Sequence, residues 1–235
     1  MLVPPSPSFA LLNTKESPNE EHVSTVQFLQ QVCRRLRFPI RTLSTACSFY
    51  HLYYNHHKHA DINGANPSDI ALTAILLAAK TEETYKRIRE ILQAALVVSN
   101  PEFEGKPVDI HEETRVAVVK LEETLLECIE FKFNTRLCLF KQLVLIGSVK
   151  LRNGRETMRK AWASLVTLHC YPVIICYPGA YLAIACILYA RTCMKKDIKK
   201  ELEYMEEMAM DKQIVETIIS IISLYVTKKT GVVTQ

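Results

Sequence analysis

The sequence predicts an all-α protein made of two tandem five-helix repeats, and three observations predict it. Apolar residues recur at spacings of three and four along the 235-residue chain, the period of a helix with one buried face. No stretch alternates apolar and polar residues over the length of a strand. One helix, Ile70 to Ala79 (IALTAILLAA), is apolar all round and runs straight into Lys80-Thr81-Glu82-Glu83. Such a helix is walled in by others, so the charges at its end must emerge where the core meets water. The pattern returns in weaker form at Ile184 to Arg191 (IACILYAR), with Arg191 in the place of Lys80. ETIISII at Glu216 to Ile222 likewise echoes ETLLECI at Glu123 to Ile129, which marks an internal duplication.

Each element has a local reason. Residues 1–16 hold three prolines and read as a tail. Ser17-Pro18-Asn19-Glu20 then has the form of a helix start: a capping serine, a proline at the first position and a glutamate three residues after the cap. That helix carries Val26, Leu29, Cys33 and Leu36 on one face, and Pro39 ends the turn after it. A second runs from Ile40 to His56. Asn66-Pro67-Ser68-Asp69 opens the third, again with proline at the first position. A fourth is expected over Thr84 to Val98, and Pro101, Gly105 and Pro107 make Ser99 to Asp109 a loop. The fifth covers Glu112 to Glu130. The second repeat reads Leu137 to Leu151, Glu156 to Cys170, Ala180 to Met194, Asp197 to Met208 and Asp211 to Tyr225. The domain boundaries expected from this are 1–16 tail, 17–134 first repeat and 135–235 second repeat.

Composition and motifs exclude several classes. At 49% apolar and 23% charged residues the chain has enough to bury, which a disordered chain lacks. The net charge of +4 is small. The cluster Arg34, Arg35, Arg37 and Arg41 reads as a solvated helix end rather than a nucleic-acid patch. None of the eight cysteines forms a C-x-x-C pair, so zinc-ribbon and thioredoxin-like readings have no support, and no metal or cofactor is expected. Their places on apolar faces, with no secretory leader pattern, point to a reducing compartment, cytosol or nucleus. Val173 to Ala190 is uncharged over eighteen residues, but Pro178-Gly179 divides it, so a core helix is expected and not a membrane span. His56-His57-Lys58-His59 reads as an inert loop cluster. A di-metal carboxylate bundle needs Glu-x-x-His on two helices. The chain contains none, and no G-x-S-x-G, P-loop or H-E-x-x-H either. No catalytic residue is expected.

Three segments in register carry a family resemblance. Leu77-Ala78-Ala79-Lys80-Thr81-Glu82-Glu83 resembles the L-A-[AS]-K-x-E-E signature of the cyclins. Leu36 to Tyr54 (LRFPIRTLSTACSFYHLYY) is similar to the cyclin element in which a short turn leads into a T-x-x-x-A-x-x-[FY] helix. Leu121 to Phe133 (LEETLLECIEFKF) resembles the end of the fifth cyclin helix. The resemblance covers residues 17 to 228 and implies the cyclin fold, two tandem five-helix cyclin boxes. Within the family, Phe49-Tyr50-His51-Leu52-Tyr53 stands where mitotic and G1 cyclins carry Y-I-D-R-F. A histidine there is similar to cyclins K and T and to the fungal cyclin subunit of the RNA polymerase II C-terminal-domain kinase. YPGAYLAIACILYA, in the second repeat, is similar to the same branch.

The resemblance implies a non-catalytic subunit in the nucleus that binds and activates a cyclin-dependent kinase, with room for a third kinase subunit. Lys80 and Glu122 match the family's hydrogen-bonding pair for the kinase backbone. Leu126 and Phe131 match the apolar contacts around the kinase's C-helix. Many cyclins carry an arginine in the first helix where this chain has His22. Two rivals share the fold: a cell-cycle cyclin and a transcription factor IIB-like nucleic-acid binder. The second expects a zinc ribbon and a strongly basic second repeat. Here Lys195, Lys196, Lys199 and Lys200 are offset by glutamates between Glu201 and Glu207, so no direct nucleic-acid partner is expected, and no membrane.

Overall fold

The computed structural model describes residues 20–56, 65–106, 112–133 and 138–230. The tail, the start at Ser17-Pro18-Asn19 and the histidines at 57 and 59 lie outside them. Two compact units are present, one within Lys15–Thr135 and one within Arg136–Gln235. Every regular element among the described residues is helical.

The first unit holds α1 (Glu20–Arg35), α2 (Ile40–His56), α3 (Pro67–Thr81), α4 (Ile88–Ser99) and α5 (Glu112–Cys128), with a 3-10 turn at Pro101–Phe103. Helix α3 is the post around which the other four pack. All ten residues from Ile70 to Ala79 are buried, and each buried Ile or Leu contributes about 1.5–3 kcal/mol. Its start is set as the sequence predicts. Asn66 caps, its Oδ1 accepting from the Ser68 amide at 3.0 Å, and Pro67 follows. Its end is a Schellman turn. The Thr84 amide donates to Ala79 O at 2.9 Å, and Glu83 takes a left-handed φ of 55°.

That turn corrects the fourth helix. The expected start at Thr84 fails because Thr84 completes the α3 cap and the chain then runs without regular structure to Arg87. The helix begins at Ile88, where the Glu90 side chain turns back to accept from the Arg87 amide at 3.0 Å.

The second unit holds α6 (Leu139–Val144), α7 (Arg155–Leu168), α8 (Val173–Cys176), α9 (Gly179–Cys193), α10 (Lys199–Glu207) and α11 (Lys212–Thr230). Helix α9 is its buried post, flanked by α6, α7 and α11. Two features differ from expectation. Leu137 to Leu151 is not one α-helix: α6 passes into a π-helix at Leu145–Lys150. Gly147 explains where the widening occurs. A Cβ there would collide with Met158 Sδ and lie 3.1 Å from Ile187 Cδ1, so the backbone sits hard against α7 and α9. The segment after Pro172 is also not bare loop. Val173, Ile174, Ile175 and Cys176 are all buried and form the one-turn helix α8.

The echo between ETLLECI and ETIISII is structural. Leu125 on α5 and Ile129 in the turn after it are buried, as are Ile218 and Ile222 on α11. Six of the eight cysteines are buried and all are free thiols; burial pushes the Cys33 thiol up to about 12. Among the described residues no helix is long and apolar enough to cross a membrane.

Candidate functional site

The charged end of α3 meets the middle of α5. Lys80 is the second-last residue of α3, one step beyond the last buried alanine. Its ammonium reaches Glu122 of α5 in a two-pronged contact, Nζ to Oε1 2.6 Å and Nζ to Oε2 2.8 Å. The lysine side chain is 44% exposed and the glutamate 16%. A point charge on a flexible stem thus closes onto a carboxylate already seated in the surface.

Glu122 and Leu126 lie one helical turn apart on the same face of α5. Leu126 is half-buried. Its carbonyl accepts from the Phe131 amide at 3.1 Å, which folds the chain back at the helix end. Glu130 and Phe131 both adopt left-handed φ, 53° and 54°, a conformation bulky residues seldom take. The result puts the Phe131 ring in solvent, 62% exposed. Lys80, Glu122 and Leu126 thus lie from the end of α3 along the C-terminal half of α5, and Phe131 follows three residues beyond its end.

Glu82 and Glu83 do different work. Glu83 is the left-handed residue of the cap. Glu82 ties α3 to α2: Thr45 Oγ1 donates to its carboxylate at 2.7 Å, and Arg41 donates to its carbonyl at 2.8 Å. The sequence carries no signal for these two partners, because the link is between helices. Val116 and Val119, 52% and 48% exposed on α5, also escape a periodicity reading. They fall outside the regular apolar face of Val118, Leu125 and Cys128.

Arg191, the apparent counterpart of Lys80, is placed otherwise. It is the third-last residue of α9. Its side chain is 18% exposed and its Nε lies 3.2 Å from Oε2 of Glu201, which is wholly buried. The N–H itself points at Asp197 O, 2.7 Å away, so the guanidinium holds Glu201 by charge while bonding the backbone. Asn153 bridges them, accepting from Arg191 at 2.7 Å and donating to Glu201 at 3.1 Å. The guanidinium is thus engaged within its own unit.

The remaining titratable groups are structural. His22 Nδ1 lies 3.1 Å from the Tyr50 hydroxyl, its ring edge-on to Tyr54 at 4.1 Å, and burial lowers its pKa. His51 is buried on α2, edge-on to Tyr50. Burial pushes the Cys128 thiol at the end of α5 up to about 11, leaving it neutral. The described residues contain no group of His, Cys, Asp and Glu that could hold a metal ion.

Comparison with known proteins bears on the family and the fold. The family model for the N-terminal domain of cyclins matches residues 3–134. The CTD kinase subunit beta of Schizosaccharomyces pombe is 26% identical over 77% of this chain and 54% of its own length. The protein of that name from Saccharomyces cerevisiae is 23% identical over 88% of this chain and 63% of its own. The chain thus spans little more than half the length of these relatives. A chain in the crystal structure of the yeast RNA polymerase II CTD kinase complex CTDK-1 shares the fold. Its TM-score is 0.73 at 20% identity, over 90% of this chain and 67% of that one.

Proposed function

This chain belongs to the cyclin family, and we propose that it activates a cyclin-dependent serine/threonine kinase that phosphorylates the C-terminal domain of RNA polymerase II. Its two boxes, 17–134 and 135–235, act as a non-catalytic subunit, and its work is done in the nucleus. Two relatives named as CTD kinase subunits support the choice of kinase over a cell-cycle one. The observation that carries the reading is the outward-facing pair Lys80–Glu122 beside Leu126 and Phe131.

The pair suits a binding site because its mutual attraction is weak. An ion pair this exposed is worth about 0–1 kcal/mol, so little is lost when it opens. Its three donors and carboxylate acceptors can then turn to backbone groups of a docked kinase helix. Each charge-assisted bond gained in the drier interface contributes roughly 1.5–3 kcal/mol. Leu126 and Phe131 supply the apolar contact. An exposed aromatic held rigidly by its backbone is the kind of anchor that dominates interfaces. The mechanism is a population shift: the chain binds the kinase arrangement with its catalytic lysine–glutamate pair formed better than the one without.

The test is a pull-down and activity assay with purified kinase on a C-terminal-domain peptide, comparing wild type with Lys80→Ala/Glu122→Ala. The double variant is expected to lose binding and activation together. Undiminished activation would disprove the site. Tight, salt-steep binding of duplex DNA without any kinase would disprove the function.

A further inference from the structure

We propose that the solvent face of the α6–π-helix segment is a second docking surface, shaped for an acidic amphipathic helix of a partner protein. The segment is apolar on two faces. Leu139, Phe140, Leu143 and Ile146 point into the second unit and are buried. On the opposite side Val144, Leu145 and Val149 stand 43%, 50% and 60% exposed. With Ser148 they make a continuous stripe, and the exposed cations Lys141 and Arg152 lie beyond its two ends. The apolar stripe runs on the order of 8 Å, and with the two cations about 16 Å, three turns of a docked helix.

The charge around the stripe says what it fits. From Thr135 to Arg155 the sequence has five Lys or Arg and no Asp or Glu. Some surface cations elsewhere find carboxylates: Arg35 with Glu104, Lys80 with Glu122, Arg115 with Glu112, Lys196 with Glu156, Lys212 with Glu206. Lys141, Lys150 and Arg152 have no such partner among the described residues. Exposed aliphatics rimmed by unpaired cations match a helix with an apolar face edged by Glu or Asp. The stripe has no aromatic on which a base would stack, which separates it from a single-stranded nucleic-acid site. Its backbone is firmly placed, since Gly147 is wedged against α7 and α9 and the Leu151 amide closes onto Ile146 O at 2.9 Å. Single turns of π-helix recur at functional sites.

The proposal is independent of the kinase site and is tested on the full chain. The probe is a labelled synthetic peptide helix with leucines on one face and glutamates at its edges. Fluorescence anisotropy reads affinity and hydrogen exchange reads location. The expected result is salt-sensitive binding that slows exchange over residues 141–152, with affinity lowered at least about tenfold by Leu145→Glu/Val149→Glu and by Lys141→Glu/Arg152→Glu. Circular dichroism and kinase activation stay at wild-type level in both variants. Equal binding of a scrambled peptide, or protection elsewhere, overturns it. So does protection of this segment by oligothymidylate, by anionic phospholipid vesicles or by self-association in place of the peptide. Loss of kinase activation in the same variants would make the stripe part of the kinase interface and overturn the separate surface.

Discussion

Helices α3 and α9 are both fifteen residues long, both the buried post of their unit, and both end in the same Schellman turn with a left-handed residue, Glu83 or Lys195. Each carries a cation near that end. Yet Lys80 reaches a carboxylate half-buried at the surface, and Arg191 turns inward to a wholly buried one. Two differences account for this. Counted from the cap, Lys80 stands one residue nearer the helix end than Arg191, a rotation of about 100° around the axis. And where α5 offers Glu122, the echoing position on α11 is the buried Val215. With no acceptor there, Arg191 takes Glu201 from α10. The same scaffold position therefore serves a surface in one repeat and a core in the other.

The sharpest way to break this comparison is Arg191→Ala. It strands the buried Glu201 carboxylate with only Asn153, and should cost roughly 3–5 kcal/mol of stability in urea denaturation. Lys80→Ala should stay within about 1 kcal/mol in the same assay. Equal losses would erase the distinction between the two ends.

Acid should also separate the units. His169, wholly buried and stacked on Phe140, donates from Nδ1 to Leu165 O at 2.7 Å, and burial pushes it down to about 4 from 6.5. The unfolded chain takes up that proton first, so the contribution is complete above 6.5. It is lost as pH falls toward about 4, by on the order of 3 kcal/mol. His169→Phe should flatten the urea-midpoint profile over that window. His22, half-buried in the first unit, has its pKa lowered in the same sense, and His22→Phe should flatten the profile less.

The functional side of the comparison is smaller in energy. Lys80→Ala/Glu122→Ala should weaken kinase binding by about 2 kcal/mol, roughly thirtyfold by titration, while Arg191→Lys leaves affinity unchanged. Smallest of all, Glu83→Gly and Lys195→Gly should each raise the melting free energy by about 0.5–1 kcal/mol, because glycine takes the left-handed conformation without steric cost. Similar gains at both would show that the two caps are equivalent and that only the charges beside them differ.

Much of this was legible in the residues. Pro67 behind a capping asparagine and the unbroken apolar run to Ala79 identify α3 and its burial without any structure. The ETLLECI echo identifies the duplication. The four site residues follow from resemblance rather than from periodicity, since nothing in a helical pattern distinguishes Lys80 from any solvated lysine. The start of α4 is not legible because the α3 cap consumes Thr84. The π-helix is not legible because Leu145–Lys150 has the composition of an ordinary helix; it lies where Gly147 comes against Met158 and Ile187.

By itself, then, the sequence determined the helices, the two repeats and which helix of each is buried, because these follow from local propensity and apolar period. Tertiary structure alone decided what the charges do. Whether a cation at a helix end remains available depends on its rotation about the axis and on what the neighbouring helix presents. Glu122 meets Lys80 and Glu201 meets Arg191 across gaps of 42 and 10 residues in the chain. Those pairings exist only once α5 and α10 have packed.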